Sequence, residues 1–341
     1  MSKKFYLPVA AILLFAGAGV VCSICSILGP KIINPLDRNL SSIDREIFFF
    51  IRLPRVCVGF LVGMGLATAG SILQSILRNP LADPFILGIS SGASLFAVLA
   101  LFLSNTFFIL PVLPLFAFIG AITVSATVCL WSWREGTLHP EKLLLVGIGL
   151  SFFLQSLLML LLNFIPSDTI RRASMWISGD ISSADWELIP YAGFLIFLGM
   201  SVALLKTKAI QAMMLGDEIA LGLGVNVHRE RLFLIIAMSL MTAAAVSLSG
   251  IIGFIGLIIP HLARFLFRKI FSSHSYPPCL RSLLLLPFTA FVGGIFLTFA
   301  DLVGRTILSP MEIPAGIITS LIGAPYFLYL LRKKNGNLSI F

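Results

Sequence analysis

Charge is the scarcest commodity in this sequence. Fifteen acidic and 24 basic residues are spread over 341 positions, 11% in all, where an ordinary soluble domain carries about a quarter. A soluble globular protein is thereby excluded. Acids are the rarer sign, and the apolar segments place every Asp and Glu in a loop or at a helix end, with Asp301 and Glu312 nearest the bilayer at its outer edge. Proton-driven transporters commonly carry acids at mid-membrane, so that class is disfavoured. A membrane-embedded enzyme is disfavoured as well, for want of paired acids, a nucleophile–base set or metal ligands. The dipeptide Gly-Lys never occurs, so no Walker-type phosphate loop exists and nucleotide energy would have to enter through another chain. His-Glu-x-x-His is missing too, and the four histidines (139, 228, 261 and 274) are scattered. His261 reads as a hydrogen-bonding group near the inner end of a span. Of five cysteines, Cys22, Cys25, Cys57 and Cys129 lie in or beside apolar segments, and Cys279 in an inner loop. Cys22-x-x-Cys25 has redox spacing, but inside an apolar helix it reads as packing.

Apolar length is what the chain has. The composition is 58% hydrophobic and the mean hydropathy is +1.03. A helix needs about 20 apolar residues to cross the hydrocarbon. Ten segments qualify: 7–28, 53–77, 85–104, 111–132, 143–163, 187–205, 231–250, 251–267, 283–301 and 313–331, of which 251–267 is short. With the N-terminus inside, sixteen of the 24 basic residues fall on the inner side and eight on the outer, which obeys the positive-inside rule. Both termini are then cytoplasmic. The net charge of +9 is topological, and nucleic acid is not expected as a partner. The fold class expected is an all-α polytopic membrane protein forming one transmembrane domain. It divides into a first helix and outer segment (1–52), a first repeat (53–163), a middle part (164–227), a second repeat (228–334) and a tail (335–341). Spans 2–5 open outside and spans 7–10 open inside, as an inverted repeat requires.

Local signals refine this plan. Residues 29–52 suggest a short interfacial helix, and the tryptophans of 164–186 an interfacial belt. Gly59, Gly63 and Ala67 give the second span a close-packing face, and Gln74 reads as an interhelical hydrogen bond. Pro80 and Pro84 break the chain into a rigid inner loop. Asp217 and Glu218 suit a helix start and Gly224 its stop, which predicts two turns of helix on the inner side.

Several long motifs carry a closer likeness. Arg52-Leu-Pro-Arg55, Arg78-Asn-Pro-Leu-Ala-Asp-Pro84, Leu215-Gly-Asp-Glu-Ile-Ala-Leu-Gly-Leu-Gly-Val-Asn226, Ser249-Gly-Ile-Ile-Gly-Phe-Ile-Gly-Leu-Ile-Ile-Pro-His-Leu-Ala-Arg264 and Ala300-Asp-Leu-Val-Gly-Arg-Thr306 occur in that order, followed by Met311-Glu-Ile-Pro-Ala-Gly-Ile-Ile-Thr-Ser-Leu-Ile-Gly-Ala-Pro-Tyr326. Together they resemble the permease subunit of ABC importers for iron chelates and cobalamin, over about residues 45–334. The resemblance implies a dimer with a second copy or a paralogue, an extracytoplasmic solute-binding protein, and cytosolic ATPase subunits that use ATP and magnesium. It implies no cofactor on this chain, no catalysis by it, and a place in a bacterial cytoplasmic (inner) membrane.

The same resemblance assigns roles to residues. Arg52, Arg55 and Arg305 would dock the binding protein, although as residues they read equally as interfacial anchors. Asn79 and Leu81 would line a cytoplasmic gate. Gly216, Asp217, Glu218, Ala220, Leu221, Leu223 and Gly224 would form the element that couples to the ATPase. The loop Leu138-His-Pro-Glu-Lys142 departs from relatives that carry small hydroxyl residues there, so no gate residue is expected in it. A proton-coupled transporter and a membrane enzyme remain the alternatives.

Overall fold

A computed structural model describes residues 17, 19–29, 33, 35, 37, 41–104, 112–134, 137–270 and 278–333 of the chain. Half of the expected first span, and the tail 335–341, lie outside them. The elements run α1 (19–27), α2 (Ser42–Glu46), a π-turn (Ile47–Arg52), α3 (Leu53–Leu77), a 3₁₀ turn (Pro84–Leu87), α4 (Ile89–Ser104) and α5 (Val112–Ser132). A minimal strand pair, β1 (Trp133–Arg134) and β2 (Thr137–Leu138), leads to α6 (Pro140–Leu162), α7 (Ser167–Ile177) and α8 (Ile189–Leu205). Then come α9 (Thr207–Leu215), α10 (Asp217–Gly222), α11 (Val227–Ser249), α12 (Ile255–Ile270), α13 (Pro278–Thr306) and α14 (Ala315–Lys333). Among the described residues five helices are long and apolar enough to cross a membrane, or six if α8 and α9, bent by 60°, count as one span.

The bundle is built on α3. Twenty of its residues are buried on all sides, against α13, α11 and α12. Such contact needs small residues, and the sequence supplies them in facing pairs. A Cβ on Gly63 would overlap the Gly293 carbonyl, and one on Gly70 the Gly256 carbonyl. Backbone meets backbone at both places, as the glycine spacing predicts. Helix α3 stops where Arg78 turns left-handed, at φ 49°, ahead of Pro80.

Several boundaries differ from the sequence reading, each for a local reason. The interfacial helix expected in 29–52 exists as α2 and the π-turn, but it runs into α3 without a break, with Pro54 at the junction. The segment at 85–104 starts as a helix only at Ile89, after Gly88 takes φ 76°. Helix α11 begins at Val227 rather than 231 because Asn226 caps it, accepting from the Arg229 amide at 3.2 Å. Helix α13 runs on to Thr306, so Asp301 lies inside a helix instead of at its end. The strand pair β1–β2 is a small exception to an all-α chain.

The segment 251–267 departs furthest. Residues 250–254 are not helical, with Gly250 and Phe254 both at φ 68°, and α12 begins at Ile255. Within α12, Pro260 cannot donate to the Gly256 carbonyl. Gln74 fills the gap from α3, its Nε2 donating to Gly256 O at 3.2 Å and Leu257 O at 3.0 Å. The interhelical hydrogen bond expected of Gln74 is thus present. Non-helical backbone in an apolar bundle has to find partners within the protein: the Gly250 amide donates to the Val246 carbonyl at 2.8 Å, the Gly250 carbonyl accepts from Ser249 Oγ at 3.3 Å, and the Phe254 carbonyl accepts from the Ile258 amide at 2.9 Å. Ile251 packs against Gly179 and Gly316, which are themselves joined, the Gly316 amide donating to the Gly179 carbonyl at 3.0 Å. His261 lies ring to ring with Tyr326 at 6.4 Å. Cys25 is buried beside Val56 and Leu302, with Cys22 next to them, a packing role.

Candidate functional site

The end of the bundle that carries Arg52, Arg55 and Arg305 is the outer one by the charge bias. The three arginines come from distant parts of the chain and do converge there, but they are buried, at 7%, 4% and 3% exposure. Arg55 Nε donates to both oxygens of Asp301 at 3.0 Å, and its Nη2 to Asp301 Oδ1 at 2.8 Å. Arg55 Nη1 donates to Glu312 Oε2 at 2.6 Å. Arg305 Nη2 donates to the Cys25 carbonyl, and its Nε lies 3.8 Å from Asp301 Oδ2. Arg52 Nη1 donates to the Ile27 carbonyl at 3.1 Å.

The three arginines are therefore not free side chains. A guanidinium in an apolar bundle is expensive unless paired, and this chain pairs it internally. It uses two carboxylates and the last carbonyls of α1, which a helix end leaves unsatisfied and which favour cations. Only Glu312 reaches the surface, its side chain 46% exposed. Beside the cluster, Trp186 Nε1 donates to the Phe49 carbonyl at 2.9 Å. That bond helps define an open cleft of about 500 Å³ lined by Arg45, Glu46, Phe50 and Trp186.

At the inner end, the loop after α3 is a rigid turn. Asn79 Oδ1 accepts from the Leu81 amide at 3.0 Å, and Asp83 Oδ1 from the Phe85 amide at 2.9 Å. Asn79 is exposed and Leu81 half-buried. Burial pushes the Asp83 carboxyl up to about 6. Arg264 closes the polar set by donating from Nη2 to Gln74 Oε1 at 2.7 Å.

The inner short helix is α10. Gly216 permits its entry at φ 127° and Gly224 its exit at φ 80°. Ala220 is fully buried and anchors the helix, while Glu218, Ile219, Leu221 and Leu223 are exposed. With Leu215 they present four large apolar side chains on a surface that also carries charge, and such a patch marks a contact surface. The structure thus brings Gly216, Asp217, Glu218, Ala220, Leu221, Leu223 and Gly224 into one knob. It sets Asn79 and Leu81 beside it, because Arg78 Nη2 lies 3.7 Å from Asp217 Oδ1.

Sequence reasoning missed Asp301 and Glu312 as partners of the arginines. It also missed Arg231, whose Nη2 donates to both oxygens of Asp217 at 2.9 and 2.8 Å. The Asp301–Arg305 spacing of four was a usable signal, since residues four apart share a helix face. The Asp217–Arg231 pairing had none. Among the described residues no three His, Cys, Asp or Glu side chains are grouped to hold a metal.

These features have counterparts in known proteins. The model of the FecCD transport family matches residues 9–333. The Fe(3+)-citrate import system permease protein YfmE of Bacillus subtilis is 39% identical over 340 residues, covering 97% of each chain. The hemin transport system permease protein HmuU of Yersinia pestis is 38% identical over 295 residues, 85% of this chain and 84% of its own. A solved inward-facing, putative metal-chelate type ABC transporter superposes with a TM-score of 0.80 at 30% identity, over 95% of this chain and 99% of that one. This chain is a multi-pass membrane protein and belongs to the FecCD transport family.

Proposed function

We propose that this chain is the transmembrane permease subunit of an ATP-driven importer whose cargo is an iron chelate, a siderophore, haem or citrate complex, before cobalamin. The observation that carries the reading is near-full-length similarity to permeases named for ferric citrate, hydroxamate and hemin. It is supported by an exposed apolar knob at 215–223 on the inner side. In this reading ten spans, arranged as an inverted repeat with both termini cytoplasmic, sit in a bacterial inner membrane, and two permease copies or paralogues enclose the path. The chain itself binds no nucleotide. Two cytosolic ATPase subunits bind ATP and magnesium and receive α10 in a groove, and the loop at Asn79 and Leu81 forms the inner gate. A solute-binding protein docks on the outer end over Arg52, Arg55 and Arg305. Glu312, the half-exposed arm of the Arg55 pair, is the group for which a partner carboxylate could exchange. Such charge matching sets on-rate and orientation more than affinity. The oxygens of Asp301 already accept three hydrogen bonds from Arg55, which does not favour a proton-carrying alternative.

The test is purification of the chain from its own membrane in mild detergent, with mass spectrometry and a vanadate-sensitive ATPase assay. An ATPase subunit that co-purifies, and is lost when 217–224 becomes a Gly/Ser linker, is the expected result. A chain that purifies alone and responds to a proton gradient would overturn the reading.

A further inference from the structure

Asp217 opens the exposed knob, yet its carboxylate faces the body of the protein. One nitrogen of Arg231 bridges both its oxygens, at 2.9 and 2.8 Å. Arg231 is the largest fully buried side chain in the described structure, at 1% exposure. Its other terminal nitrogen donates to the Leu138 carbonyl at 3.0 Å, and its Nε has no partner. A buried guanidinium with one carboxylate to meet it holds that carboxylate firmly, because releasing it would leave a desolvated cation. Arg78, the residue that ends α3, approaches from the third side. Its Nη2 lies 3.7 Å from Asp217 Oδ1, and its Nη1 lies 3.5 Å from where a Gly216 Cβ would stand. A second strap joins the same elements: Lys206, at the bend before α9, donates to Glu230 at 2.8 Å. Glu230 and Arg231 are neighbours in the first turns of α11, so the unit 206–222 is tied to that helix at both ends.

We infer that Asp217 is a positioning residue, the junction at which displacement of α10 is passed to the α11 start, to the β1–β2 hairpin through Leu138, and to the 78–88 loop through Arg78. This rests on α10 being the ATPase-facing element proposed above. It assigns the Asp217 carboxylate, whose side chain is 33% exposed, to contacts with the permease rather than with the ATPase, and adds Arg78 and Arg231 to the machinery. The geometry favours it over direct contact with the ATPase. A carboxylate already astride a buried arginine has little left to offer another chain, whereas Glu218, Ile219, Leu221 and Leu223 are free to make that contact.

The experiment is hydrogen–deuterium exchange on the co-purified permease–ATPase complex, comparing nucleotide-free protein with protein trapped by ATP and vanadate. In the parent, peptides covering 215–226 and 78–88 should both respond. Arg78→Gln leaves the buried pair intact, and it should at least halve the 78–88 response relative to that of 215–226. Asp217→Asn should reduce the ratio further and Asp217→Glu should restore at least half of it. A parental ratio in Arg78→Gln would overturn the inference, as would equal loss in both segments for Asp217→Asn. If the parent yields no ATPase partner, the proposed function fails first. If it responds normally and Arg78→Gln does too, only the relay fails.

Discussion

Neutralising Asp301 tests whether the outer arginines are structural before they are anything else. Asp301 is 3% exposed at its side chain and accepts three hydrogen bonds from Arg55, itself 5% exposed. It is also the carboxylate nearest Arg305, at 3.8 Å. Asp301→Asn keeps the volume and one acceptor but leaves two buried guanidinium groups facing a neutral amide. Breaking a buried pair from one side costs about 3–5 kcal/mol. Each kcal/mol is worth roughly 2–4 °C in a domain of 150–250 residues and less in a longer chain, so a fall of about 5 °C or more is expected. Glu312→Gln is the control. Its side chain is 46% exposed, and pairs in contact with water are worth about 0–1 kcal/mol, so a shift of about 2 °C or less should follow. The assay is intrinsic-fluorescence melting in one detergent, read against monodispersity. Equal shifts for the two variants, or a larger one for Glu312→Gln, would refute the account of the cluster as a buried, internally paired unit.

Three further outcomes follow from the inner half. Gly70→Ala pushes a methyl group into the Gly256 carbonyl; overpacking costs typically about 1–3 kcal/mol, and Gly70→Leu should prevent a monodisperse preparation altogether. Gln74→Leu removes the donor to Gly256 O and Leu257 O and the acceptor of Arg264. At about 1–3 kcal/mol for each stranded buried group, it should melt well below Gln74→Glu, which loses the same donor but keeps the Arg264 contact; the reverse order would count against the weight given to that contact. Asp83→Asn keeps the cap on the Phe85 amide. The carboxyl, ordinarily near 3.8, is raised to about 6 in the folded protein, so the parent is at a disadvantage above pH 6 that vanishes below about pH 4. That shift amounts to at most about 3 kcal/mol at 1.36 kcal/mol per unit. The variant should match or exceed the parent in thermal stability at pH 8 and lose that margin at pH 4; a variant less stable at pH 8 would refute the burial argument.

Much of this architecture was written in hydropathy. The long apolar helices from 53 onward and the short helix at 217–222 follow from apolar length, from prolines and glycines at their ends, and from acids at a helix start, whereas the helix at 167–177 did not follow from the tryptophans that marked its segment. The convergence of Arg52, Arg55 and Arg305 followed from topology alone. What the sequence hid was depth. A charge pattern places an arginine on a side of the membrane, but whether it points to water or to Asp301 depends on contacts 246 residues apart. The break at 250–254 was hidden for a similar reason, since residues 250–260 carry no polar side chain and the packing of Ile251 against Gly179 and Gly316 is visible only in three dimensions. Arg231 looked like one more inner positive charge, and nothing local tied it to Asp217.

The meeting of Gly179, Ile251 and Gly316 has a mechanical consequence. The contact is made by main-chain atoms, with the Gly316 amide on the Gly179 carbonyl, so the end of α7 and the beginning of α14 are welded rather than merely packed. Helix α7 is then no flap on its own hinge. Lifting it carries α14 along, and the flexing is taken up in the short links beyond the weld, at 163–166 and 307–313, where no long helix resists it. Helices α7 and α14 shift as one lever or stay in place together.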